Sequence, residues 1–123
     1  MPKVIGYLEG SDSLWLTSLQ LMGHDTMPLS NGFDGHGMNI QQLNPQHKIS
    51  VVICYMHKLV PPRHLSISTK EVLHATAVYE IPVLVVCPKD SFNAARERLG
   101  ELPTNVQLVD PADVMATLKK LLA

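Results

Sequence analysis

The 123-residue chain is 46% hydrophobic and 17% charged, with a formal net charge of -1, which is the composition of one globular domain over residues 1–123 and not of a disordered segment. It has no run of lysine or arginine, so it lacks the electrostatic footprint of a nucleic-acid or anionic-membrane binder, and no apolar run approaches the roughly 18 residues of a membrane span. Cys54 and Cys87 sit in separate apolar runs without a C-x-x-C pair and read as buried free thiols of a reducing cytoplasm.

Met1-Pro2-Lys3-Val4-Ile5 runs into a first strand, Lys3 to Leu8, without the features of a signal peptide, so a cytoplasmic location is expected. Ser13 to Met22 carries Trp15, Leu16, Leu19 and Met22 at helical spacing and stops at Gly23, a natural helix end. Thr26 to Leu29 is a weaker strand, followed by the polar stretch SNGFDGHGMN, residues 30 to 39, and a short helix over Met38 to Leu43. Ser50 to Tyr55 is a continuous apolar strand, after which Lys58 to Ile67 forms the longest irregular stretch, with Pro61-Pro62. Ser68-Thr69-Lys70-Glu71 has the form of a capping box and opens a helix through Tyr79. Pro82 to Cys87 is again a strand, Ser91 to Leu99 a helix ending at Gly100, and Val106 to Val109 a weaker strand. Asp110-Pro111 then supplies a cap and a first-turn proline for the last helix, with Val114, Leu118 and Leu121 inward.

Alternating strands and helices, with strands apolar throughout, predict an α/β fold. The expected form is a doubly wound, mostly parallel five-stranded sheet with helices on both faces, of flavodoxin-like or Rossmann-like order. In such sheets ligands bind beyond the carboxyl ends of the strands, where helix N-termini and loop amides converge. Ser11, Asp12 or Ser13 is expected to cap the first helix there, Asp90 or Ser91 the helix after Pro82 to Cys87, and Asp110 the last. Glu9, Asn31, Asp34, His36, His57, Lys58 and Lys89 lie there with no capping role to explain them.

Six of the seven glycines fall within the first 37 residues, and Gly32, Gly35 and Gly37 alternate with larger residues. A loop of this kind can wrap an anion or a sugar with its amides, and it reads equally well as a surface turn. Neither G-x-G-x-x-G after the first strand nor a P-loop lysine is present, so no cofactor is indicated. Asp34-Gly35-His36 is similar to the opening of the cobalamin-binding D-x-H-x-x-G motif, but Asn39 replaces its last glycine and the loop follows the second strand. His24, His47, His64 and His74 share no spacing with acids, and no metal site is expected.

His57, Lys58, Arg63 and Lys89 put positive charge after the central strands, whereas Glu9, Asp12 and Asp34 put negative charge after the first two. A ligand with a phosphate at one end and hydroxyls at the other matches that division. The leading expectation is binding of a small anionic metabolite, a nucleotide or sugar phosphate, by Glu9, Asn31, Asp34, Lys58 and Lys89. If a reaction is catalysed, His36 or His57 is the general acid/base, since imidazole transfers protons near neutral pH. Cys87, at a strand end, would be a nucleophile only if Lys89 or His57 lowered its pKa.

Two alternatives belong to other classes. Leu14, Trp15 and Leu21 on the first helix, with Met115 and Leu122 on the last, widen the apolar faces beyond one buried stripe; this suits a non-catalytic regulatory or assembly subunit acting as a homodimer. The run STKEVLHATAVYEIPVLVV, about a sixth of the chain, resembles nucleoside 2-deoxyribosyltransferases, in which an acidic nucleophile opens the helix before an x-P-V strand. That resemblance implies an N-glycosidase with Glu71 as nucleophile, although the family's glycine before the acid is absent.

Overall fold

The structure is a computed structural model that describes residues 3–33 and 37–123. The strands are β1 (Val4–Leu8), β2 (Asp25–Ser30), β3 (Met38–Asn39), β4 (Ile49–Tyr55), β5 (Val83–Val86) and β6 (Val106–Val109). The helices are α1 (Ser13–Leu21), α2 (Thr69–Val72), α3 (His74–Val78), α4 (Phe92–Leu99) and α5 (Val114–Leu122). Among the described residues all the strands form one sheet in the order β3-β2-β1-β4-β5-β6, and every pairing is parallel. The chain is therefore an α/β protein with Rossmann strand order and six strands where the sequence suggested five; the addition is the two-residue β3. No helix of the described residues is long and apolar enough to cross a membrane.

The apolar strands explain the layering. In β4, Val51 and Ile53 point to one face and Val52 and Cys54 to the other, and all four are buried, as the two-residue period of a strand requires. The first pair packs with Trp15 and Leu19 of α1 and with Val114, Leu118 and Leu122 of α5. The second packs with Val72 and Leu73 of the α2–α3 segment and Leu99 of α4. Leu122, expected on an exposed face, is buried, while Leu121, expected inward, is exposed.

Two local expectations are corrected. Met38 to Leu43 is not an α-helix: Met38 and Asn39 pair with Leu29 and Ser30, and the Asn39 carboxamide caps a single 3-10 turn, Ile40–Gln42. Pro45 forces its predecessor Asn44 into extended backbone (φ -148°, ψ 169°), so the turn cannot grow into a helix. The helix expected from Ser68 to Tyr79 breaks at Leu73, whose ψ is 7°. There the Thr76 hydroxyl donates to the Leu73 carbonyl at 2.6 Å, an intrahelical bond of the type that bends helices.

Gly37 leads into β3 at φ +68°, and a Cβ there would lie 2.5 Å from the Pro28 carbonyl oxygen of β2. Both backbone conformation and space therefore demand glycine. At Gly23 the φ of +90° imposes the first demand alone, since nothing lies within 4 Å of a Cβ. Gly23→Ala should cost about 1–2 kcal/mol, and Gly37→Ala at least about 1 kcal/mol more because backbone must move. Urea unfolding midpoints check this, and equal losses would contradict it.

Candidate functional site

The strand order reverses between β1 and β4. From β1 the chain passes through α1 to β2 on one side, and from β4 it passes to β5 on the other. In open α/β sheets the loops that leave the two strands at such a reversal diverge and form a crevice.

After β1, the Ser11 hydroxyl donates to the Leu8 carbonyl at 2.8 Å, and Asp12 Oδ1 accepts the Leu14 N–H at 2.8 Å to cap α1. Ahead of them stand Glu9 and Gly10, the latter in a left-handed conformation (φ +88°). After β4, Met56–Leu59 forms a 3-10 turn that carries His57 and Lys58. Thr69 Oγ1 ties this turn to the start of α2 by donating to the Leu59 carbonyl at 2.7 Å. Across the crevice the Lys58 ammonium lies 3.7 Å from Glu9 Oε2. Residues 49 positions apart in the chain thus become an ion pair at the reversal point.

The end of β2 is joined to the same turn. Asn31 is 2% exposed; its Nδ2 donates to the Lys58 carbonyl at 2.8 Å, and its Oδ1 accepts the Phe33 N–H at 2.9 Å. Ser30 Oγ accepts the Gly32 N–H at 3.0 Å. The buried amide therefore gives Asn31 a bracing role that local sequence does not reveal, and it sets the position of Lys58. Asp34 and His36 lie outside the described residues.

Lys89 stands apart, beyond β5. Its backbone N–H donates to Asp110 Oδ1 at 2.9 Å, and the Ala112 N–H donates to Oδ2 at 3.0 Å. These two bonds hold the Asp110 carboxyl below its ordinary value, and the Lys89 charge adds to them. Glu9 and Asn31 thus both meet Lys58, His57 lies on the same 3-10 turn as Lys58, and Lys89 lies beyond β5.

Sequence reasoning passed over Tyr55, which ends β4. Its ring lies 5.6 Å from that of Trp15 on α1 and 6.1 Å from the His57 imidazole, with the planes 28° apart. Burial raises the Tyr55 pKa, and the Asp12 carboxylate raises it further. The available signal was an aromatic residue at the end of a central strand.

The thiols are poor nucleophiles. Burial pushes Cys54 up to about 12. Burial also raises Cys87, opposed by Arg96 and reinforced by Asp110; Lys89 and His57 supply no such lowering. Glu71 occupies the capping box, where Oε1 accepts from the Ser68 N–H and hydroxyl, each at 3.2 Å. With Gln41, Lys70, His74 and Ala75 it also borders a depression of about 360 Å³ away from the crevice. Among the described residues no group of three or more His, Cys, Asp or Glu could hold a metal ion. The chain matches no protein-family model and no curated protein.

The Asp110 bonds make a pH prediction. A carboxyl whose folded pKa lies below its unfolded value near 3.8 contributes stability that is present above that value and lost as pH falls through the folded pKa. Wild type should therefore lose stability more steeply between pH 4 and 2 than Asp110→Asn, as read by thermal unfolding at a series of pH values. Superimposable acid limbs would remove the role assigned to these two hydrogen bonds.

Proposed function

We propose that the chain binds a small anionic metabolite, a nucleotide or sugar phosphate, in the crevice between the ends of β1 and β4. The observation that supports this most directly is the Glu9–Lys58 pair at 3.7 Å. It sets a hydroxyl-accepting carboxylate beside a phosphate-binding ammonium at the point of the fold where free loop amides also converge. Asn31 supports Lys58 from behind, and Lys89 extends the positive side toward β6. In this reading Asp34 and His36 belong to the adjoining loop, and His57 or His36 transfers protons if the ligand is turned over.

A thermal-shift screen against nucleoside monophosphates, sugar phosphates and divalent metals tests the reading. A ligand at 100 times its Kd should add about 2.7 kcal/mol. The shift should vanish in Lys58→Ala and shrink in Glu9→Gln, and His36→Ala reports whether the glycine loop takes part. A stabilisation that survives Lys58→Ala unchanged, or silence across the panel, would refute it.

The second reading is assembly, favoured by the outer stripe of α1, where Leu14 is 72% and Leu21 84% exposed, with Met22 beside them and Leu121 exposed on α5. Trp15 and Leu122, expected on that face, are buried in the core, so Leu14 and Leu21 carry it. Light scattering should give a dimer mass that falls to the monomer in Leu14→Gln/Leu21→Gln; a wild-type monomer at every concentration would end this reading.

A further inference from the structure

Beside the crevice, on the β4–β5 side, lies an open depression of about 280 Å³ bordered by Tyr55, Met56, His57, Val86, Cys87, Pro88 and Pro111. Its walls are almost wholly apolar, although it lies at the strand ends, where the rest of the edge is polar. The row of rings already described runs into it: Trp15 is buried, Tyr55 half-buried and His57 exposed. Cys87 and Pro111 complete the border from β5 and from the turn before α5.

An apolar recess with exposed ring faces favours a flat, weakly polar group, because a planar ring gains stacking and loses little hydration. The recess and the ion pair share one 3-10 turn, since His57 borders the recess and its chain neighbour Lys58 pairs with Glu9. Resting on the reading of the crevice given above, we infer that this depression seats a nucleobase, so that the ligand is a nucleoside phosphate and not a bare sugar phosphate. With so few polar atoms in the walls, the hydrogen-bonding edge of the base stays in solvent. The site then prefers purines to pyrimidines by ring area and separates adenine from guanine weakly.

The test is calorimetric titration of wild type with the four ribonucleoside 5′-monophosphates, the four nucleosides and ribose 5-phosphate. Tyr55→Leu, which removes the ring wall, and Cys87→Leu, which fills the recess, accompany it, with their folding checked by circular dichroism. AMP should bind at least tenfold more tightly than ribose 5-phosphate, and both variants should erase that difference while leaving ribose 5-phosphate binding unchanged. Equal affinities for AMP and ribose 5-phosphate would overturn the base site and leave the anion site standing. Nucleosides that bind as tightly as their monophosphates, with ribose 5-phosphate silent, would keep the base site and overturn the anionic reading. If no compound binds at millimolar concentration, both fall. If either variant fails to fold, the other decides, and if both fail, the wild-type ratio of AMP to ribose 5-phosphate decides.

Discussion

The burial of β4 on both faces is the constraint on which the rest of the molecule depends. Val51, Val52, Ile53 and Cys54 follow one another with no polar residue among them and are all removed from water. A strand of this kind is stable only under helices on both sides, so the chain has to supply α1 and α5 to one face and α2, α3 and α4 to the other. Supplying both faces means building outward from the centre twice, once from β1 and once from β4. The reversal of strand order, and with it the divergence of the Glu9 and Met56–Leu59 loops, follows from that requirement.

Much of this was legible in the sequence, because strands buried on both faces write themselves as apolar runs and helices announce their starts through caps. The Asp12 and Ser68–Glu71 caps form as their spacing indicates, Asp110 caps the 3-10 turn that leads into α5, and the cap expected from Asp90 or Ser91 does not form, Ser91 preceding α4 without a side-chain bond. Strand order was not legible, because it depends on pairings between distant segments, whereas periodicity reports only on neighbours. The stretch from Met38 to Leu43 misled for a related reason: Ile40 and Leu43 have helical spacing and are buried, but β2 pairing on one side and Pro45 on the other override local preference.

Asn31 and Tyr55 show the same limit within the site. Read locally, Asn31 is a polar loop residue without a capping role; its partner, the Lys58 carbonyl, is 27 positions away. Tyr55 read as the last residue of a strand, and its significance comes from Trp15 and His57, one on another element and one in the turn that follows. Composition and spacing name the edge where a ligand would sit. Only the fold determines which of the edge residues converge.

The energetics of the convergence bear on how the site could work. Glu9 and Lys58 both keep solvent contact, with side chains 49% and 22% exposed, and an ion pair of that kind contributes only about 0–1 kcal/mol. The pair with Glu9 therefore adds little by itself, whereas moving the Lys58 backbone would break the Asn31 bond to its carbonyl, worth about 1–3 kcal/mol when a buried group is left unpaired. The Lys58 backbone is thus held more firmly by Asn31 than its ammonium is by Glu9. Gly10 lies beside the Lys58 stem, and what asks for glycine there is its left-handed backbone (φ +88°) and not space, since a Cβ would meet Lys58 Cε only at an ordinary 3.6 Å.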